Sequence, residues 1–420
     1  MVDSICIFEG IYYKRLLPLV YMRPEYDLRC GILTLREKIQ RSYPDIPVTL
    51  HCRGYLTETM KENNPGFLIN EINGKSCLFV NGRTLADSSF IEKIPLDGDD
   101  ILYVNSDQII AARVSGTKLD ILKHSLNDVF TLSDFSDLFK VEIDVKLISY
   151  PWDLIYNNGK AIIDDFNWIV TDKKNTIRGK IYEGAYLLNK ENIFVDDGAV
   201  VKPGAVLDAE SGPIYIGKNA IIFPNAFILG PCFIGAYTQI KASAKIYEDT
   251  SIGEVCKVGG EVEASIIHSY SNKQHDGFLG HSYLGMWVNL GADTNNSDLK
   301  NNYGSVKVII NDEQIDSGMQ FMGLTMGDHA KTAINTMFNT GTVVGVASNI
   351  FGGGFPEKYI PSFTWGGPEA TTTYDLERSI DVARRVMARR KKAFTEATER
   401  LLKKVFDLTR DERKKRGMPN

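Results

Sequence analysis

The chain has no run of about 18 apolar residues, so no membrane-spanning helix is expected. Its first residues, Met1-Val2-Asp3-Ser4-Ile5-Cys6, lack the basic and then apolar stretch of a secretory leader. Six cysteines (Cys6, Cys30, Cys52, Cys77, Cys232 and Cys256) form no CxxC pair and no metal-ligand spacing. That excludes a disulfide-framed secreted module and a zinc ribbon, and it fits a reduced, cytoplasmic setting. No nucleic-acid partner is expected.

What is present is ordinary globular material, 43% hydrophobic and 24% charged over 420 residues, long enough for two or three domains. The net charge of −5 conceals an asymmetry. Between Arg378 and Arg416 fifteen Lys/Arg face six Asp/Glu. Apolar residues there (Leu376, Ile380, Ala383, Val386, Met387, then Leu401, Leu402, Val405, Phe406) fall at helical spacing. A basic helical tail is therefore expected over 373–420.

The strongest pattern has a period of six. Ile216, Ile222, Ile228, Ile234, Ile240, Ile246, Ile252 and Val258 follow one another at that interval without exception. Four residues after each comes something small or slim, from Ala220 to Val262. Neither helix nor plain strand alternation has this period. It is the hexapeptide repeat of a left-handed parallel β-helix, three short strands per coil of a triangular prism. The aliphatic side chain points inward and stacks on its equivalent one coil away. Val195, Val201 and Leu207 extend the repeat upstream. Phe278, Leu284 and Leu290, then Met326, Thr332, Phe338, Val344 and Ile350, extend it downstream. A prism over 190–372 is expected, with lapses at 266–277 and 296–325. The second lapse is long enough for a protruding hairpin that includes Val306 to Ile310.

Residues 1–150 have a different texture. Short apolar runs (Ser4–Phe8, Ser76–Val80, Ile101–Val104, Gln108–Val114) alternate with helical stretches such as Leu33–Arg41, an α/β pattern. Residues 151–189 are expected to link the two domains.

Two segments carry a resemblance. After the first strand come Gly10, Arg15, Pro18-Leu19, Arg23-Pro24 and Lys38. This order resembles the opening of the sugar-phosphate nucleotidyltransferases, in which backbone N–H groups and cations surround a nucleoside triphosphate. The family's glycine-rich loop is reduced here to Gly10, with Tyr12-Tyr13 beside it. The resemblance implies nucleotide binding by Gly10, Arg15, Arg23 and Lys38, a nucleotidyltransferase-like α/β domain, and Mg2+ on Asp107.

The stretch 258–300 resembles the acetyltransferase domain of the bifunctional N-acetylglucosamine-1-phosphate uridyltransferase/glucosamine-1-phosphate acetyltransferases. It contains Lys273, His275, Phe278 and the run Trp287-Val288-Asn289-Leu290-Gly291-Ala292-Asp293-Thr294. The resemblance implies His275 as general base and the Ala292 N–H as donor to the thioester oxygen. It implies substrate contacts from Lys241, Lys273, Phe278, Asn289, Asp298 and Lys300. The family's second phosphate-binding cation falls on Glu263, and a family Asn falls on Asp298. The chemistry is coherent: an attacking amine must be neutral, and His serves as base near pH 7. A backbone N–H can stabilise the tetrahedral oxyanion. The implied co-substrate is acetyl-CoA, the implied acceptor a sugar phosphate or nucleotide sugar, and the implied assembly a homotrimer.

Two other readings use the same scaffold. His268, His275 and His281 could form the three-His zinc site of a γ-carbonic-anhydrase-like enzyme, although their spacing differs from that family's. Alternatively, the chain could be a non-catalytic assembly protein that binds sugar nucleotides. Metal analysis separates the first of these from acyl transfer.

Overall fold

The computed structural model describes residues 2–171 and 175–419. Met1 and the 172–174 part of the expected linker lie outside them. The chain divides into two compact units. The first comprises Met1–Leu16, Met22–Leu28 and Leu33–Tyr150; the second comprises Leu17–Tyr21, Arg29–Ile32 and Pro151–Asn420.

The first unit is built on a seven-stranded sheet. The strand Ser4–Phe8 is central and pairs in parallel with Val48–Leu50 and with Ser76–Asn81. Gln108–Ser115 then pairs antiparallel with Ser76–Asn81 and with Ile101–Asn105. The first strand is wholly buried, as a continuous apolar run on a covered sheet requires. Phe8, Phe79, Phe130 and Phe135 pack edge-on or stacked over it.

The second unit is the left-handed parallel β-helix. Its first face is a nine-stranded parallel ladder. Along it Val195, Ile216, Ile234, Ile252, Ile267, Leu284, Met326, Val344 and Ile360 sit in register, one per coil. Each is buried in one continuous core. Burying such a side chain contributes roughly 1.5–3 kcal/mol, so a column of them dominates the stability of the prism.

The first expected lapse, 266–277, is not a break. Ile266–Ile267 and Asn272–Lys273 continue the ladders, with Val258 opposite Lys273. The coil is merely shorter there, which moves the inward slot off the six-residue count. For the same reason Leu279, not Phe278, faces the core opposite Val262. The second lapse does leave the prism, as an antiparallel hairpin of Lys307–Ile310 and Glu313–Asp316.

The expected linker is largely structured. Pro151–Ile169 is a 19-residue helix, and Lys180–Ile181 and Tyr186–Leu188 already belong to the prism ladders. Asn158 and Asp165 on that helix accept from the Gly31 and Ile32 amides at 2.7 and 2.9 Å. Ser251 on the prism donates to the Gly31 carbonyl. Arg29 pairs with Glu254 at 2.8 Å, and the Tyr283 hydroxyl accepts the Arg29 amide. Burial opposes the Glu254 charge, but Arg29 and Ser269 outweigh it and hold its carboxyl near about 2. This is why a short piece of early sequence is counted with the prism.

The basic tail forms helices Leu376–Arg389, Glu396–Leu408 and Arg410–Lys414. Asp375 and Thr395 cap the first two, each side chain accepting a backbone N–H.

Candidate functional site

Corners of the prism are tight turns in which one residue takes positive φ. Between the second and third faces these residues are Asn225, Ser243, Gly260, Gly277, Asp293 and Asn335, at φ between 56° and 112°. That edge carries Lys241, the His275 turn two coils further on, and Ala292 one coil after that. The Asp293 amide donates to the Asp276 carbonyl at 3.0 Å, which locks the last two turns together. Gly277 is required at its place, because any Cβ there would run into the backbone of Asp293 and Thr294.

His275 is exposed at the crest of its turn. The Ala292 carbonyl accepts the Asn335 amide at 2.9 Å, while the Ala292 N–H donates to no group among the described residues. An exposed imidazole and a backbone N–H without an acceptor among the described residues thus stand on neighbouring coils of one edge. Lys241 is half-buried, its ammonium 4.8 Å from the centre of the Phe223 ring.

Lys273 stands differently from its expected role. It occupies the inward column, is 1% exposed, and donates to the carbonyls of Gly259 at 3.0 Å and His275 at 3.1 Å. Burial pulls its pKa down to about 8, against the partial support of Asp276, Asp293 and Glu261. It cannot meet a ligand outside the prism; it holds the turn that bears His275.

Asn289 lies on the second face. Its Oδ1 accepts from Asn272 at 3.3 Å, and Asn272 accepts from Arg390 of the C-terminal helices at 2.7 Å. Phe278 and Asp298 meet on the third face above Gly280, where a Cβ would be only 2.5 Å from the Phe278 ring. Lys300 reaches the Ser305 carbonyl at the base of the hairpin, away from this group.

The three histidines of the zinc reading are not brought together. His268 is buried with its Nδ1 accepting from the Ser269 amide, and His281 Nδ1 pairs with Asp298. Among the described residues no group of three His, Cys, Asp or Glu is placed to hold a metal. Trp287 is buried between Tyr270 and His329, 4.4 and 6.0 Å away.

In the first unit a cavity of about 290 Å³ opens beside Gly10, Tyr12, Asn81, Arg83, Asp107 and Thr131. It lies where the parallel strands Ser4–Phe8 and Ser76–Asn81 end, the usual ligand position in α/β sheets. Of the expected nucleotide residues it contains Gly10 and Asp107 only. Lys38 is 1% exposed within its helix, and Arg23 is buried. Neither can reach a solvent-borne phosphate. Arg15 lies over the Tyr12 ring at 4.2 Å. The Gly10 N–H donates to Glu25, and Glu9 takes a two-pronged ion pair from Arg53 at 3.0 Å. Two carboxylates therefore occupy backbone and guanidinium donors next to the loop. Burial pushes the Glu25 carboxyl up, and Arg83, 3.9 Å away, pulls it back.

Asp107 is an exposed carboxylate at a hairpin tip, accepting from the Tyr12 hydroxyl at 2.6 Å. A magnesium ion there would take its other ligands from water and bound phosphate. Sequence reasoning missed Asn81 and Arg83; the only signal was an Asn-Gly-Arg turn directly after a buried strand.

Residues 5–174 match the family model described as sugar nucleotidyl transferase. A bifunctional protein GlmU from Methanocaldococcus jannaschii is 31% identical over 198 residues, 47% of this chain and 41% of that protein. A bifunctional sugar-1-phosphate nucleotidylyltransferase/acetyltransferase from Sulfurisphaera tokodaii is 26% identical, over 56% of this chain and 54% of that one. The chain thus spans about half the length of these relatives. A UDP-N-acetylglucosamine acyltransferase structure from Campylobacter jejuni aligns with 56% of this chain and 83% of its own, at 14% identity and a TM-score of 0.28. Residues 5–174 thus resemble the sugar nucleotidyl transferases, and about half of the chain is similar to bifunctional sugar-1-phosphate nucleotidyltransferase/acetyltransferases.

Proposed function

We propose that the prism transfers an acetyl group from acetyl-CoA to the amine of an amino-sugar acceptor, glucosamine-1-phosphate being the first to test. The first unit supplies sugar-1-phosphate nucleotidyl transfer, with Mg2+ held at Asp107 by a bound nucleotide. The observation that carries the reading is the prism edge, where an exposed His275 and the undonated Ala292 N–H sit on interlocked turns.

The chemistry follows from those atoms. His275 takes a proton from the acceptor ammonium. The freed nitrogen attacks the thioester carbon, the new C–N bond forms, and the C–S bond breaks. Charge building on the carbonyl oxygen is met by the Ala292 N–H, a contact that strengthens only in the transition state. The adduct nitrogen gives up its second proton to the departing thiolate, so that amide and thiol leave neutral and the first proton stays on His275 until it passes to solvent. Lys241 and Asn289 flank the edge and orient donor and acceptor. An exposed edge offers little to exclude water, so in this reading a neighbouring subunit of a homotrimer closes the site.

Thiol release from acetyl-CoA over a panel of amino sugars and their phosphates tests the reading. His275→Ala should reduce turnover by about 10²–10⁴-fold. Absence of thiol release with every acceptor tried, or undiminished release from the variant, would refute it.

A further inference from the structure

The acetyl-transfer reading places the acceptor amine beside His275, at one end of the third face. The opposite end of that face has a chemistry of its own. The strand Phe278–Gly280 leads there, and His281 turns the next corner at φ 44°. His281 Nδ1 lies 2.9 Å from Asp298 Oδ2, and the two side chains are 15% and 13% exposed. The imidazole stacks on Phe321 at 5.0 Å, with Tyr156 beyond. Its Nε2 has no hydrogen-bond partner among the described residues and is not among the polar atoms sealed from solvent.

Glu263 stands opposite Gly280 on the adjacent strand. Its carboxylate forms no ion pair among the described residues, and burial pushes its pKa up while His281 pulls it back. Asp249, at the same corner one coil before Glu263, has its pKa raised by burial and by Glu248, and forms no ion pair among the described residues. The Phe278 ring and the Asp298 carboxylate crowd the same space above Gly280.

A phosphate at this end would face Asp298 and Glu263, neither of which is ion-paired to a lysine or arginine among the described residues. A sugar hydroxyl meets the opposite situation. Carboxylates offer several acceptor lone pairs, and O–H bonds to them are charge-assisted. An aromatic face alongside packs against the apolar C–H face of a pyranose ring.

We propose that this edge binds the uncharged, hydroxyl-bearing end of the acceptor. Asp298 and Glu263 accept its hydroxyl protons, His281 Nε2 takes a third hydrogen bond, and Phe278 lies against the ring. The acceptor is then an amino sugar without phosphate at the end remote from its amine. The proposal rests on the acetyl-transfer reading only for which end carries the amine.

The test is calorimetric binding of glucosamine and of glucosamine-6-phosphate, whose phosphate lies remote from the C2 amine, to the full chain, with thiol release measured in parallel. Wild type should bind glucosamine at least tenfold more tightly than its 6-phosphate. Glu263→Lys with Asp298→Asn should reverse the order. If that pair fails to fold, Glu263→Gln alone should narrow the preference several-fold. Equal or tighter binding of the phosphate by wild type overturns the proposal, as does absence of binding by either sugar. Preferential glucosamine binding without thiol release supports the subsite and refutes the acetyl-transfer reading instead. Thiol release with a preference for the phosphate does the reverse.

Discussion

The buried ammonium of Lys273 reaches the carbonyl oxygen of His275 at 3.1 Å. It thereby couples the inside of the prism to the crest of its most exposed histidine turn. An aliphatic residue in that slot would satisfy the core but leave the turn unheld.

Lys273→Met should therefore lower turnover by about 10–100-fold, the cost of loosening a reacting group by a fraction of an ångström to an ångström. KM for acetyl-CoA should change little. The same variant should alter the pH dependence of stability. Lys273 has a folded pKa of about 8, below its unfolded value, so the unfolded chain binds more protons between the two. Its burial penalty is full below about pH 8 and is relieved as pH rises toward the unfolded pKa, ~3 kcal/mol at most. Denaturant unfolding from pH 7 to 10 should show this rise in wild type and its loss in Lys273→Met. Identical profiles for the two would contradict the assignment.

Ile240 belongs to the inward column of the second face, between Ile222 and Val258. It is fully buried. Ile240→Ala should cost about 2–5 kcal/mol, because coils above and below are fixed by their ladders and cannot collapse into the cavity. Chemical denaturation gives the number; a loss under 1 kcal/mol would mean the coil had relaxed.

In the first unit Glu9 is wholly buried and Arg53 is 3% exposed. Arg53→Leu would strand the carboxylate, at a cost of about 3–5 kcal/mol. Hydrogen exchange of the amides in Ser4–Phe8 should accelerate accordingly. A variant with unchanged exchange would show that Glu9 had found another partner or a proton.

The prism was legible because its period is imposed by geometry. A strand, a corner and a strand must repeat at fixed length for side chains to stack, and Ile216 to Val258 record that directly. The α/β character of the first unit was legible too, from fully apolar runs that only a covered sheet tolerates. The count misled where a coil shortened. At 266–277 the ladder register continues although the six-residue phase does not, so the count places Phe278 inward and leaves Lys273 outside, whereas Leu279 and Lys273 fill the inward slots. At the positive-φ corners Tyr270, Trp287 and His329 stack on one another rather than point to solvent, an arrangement no six-residue count records.

The sequence by itself determined the element types, the inward columns and the turn that bears His275, because each depends on local spacing. Tertiary structure alone decided what the polar side chains meet. It turned Lys38 and Arg23 into buried residues, tied Gly10 to Glu25, and set Asp298 against His281. Those pairings join positions 15 to 44 residues apart, as with Gly10 to Glu25 and Glu9 to Arg53, or one coil apart, as with His281 to Asp298. No local pattern records them, because the free energy that selects a polar partner comes from burial, and burial exists only once the chain has folded.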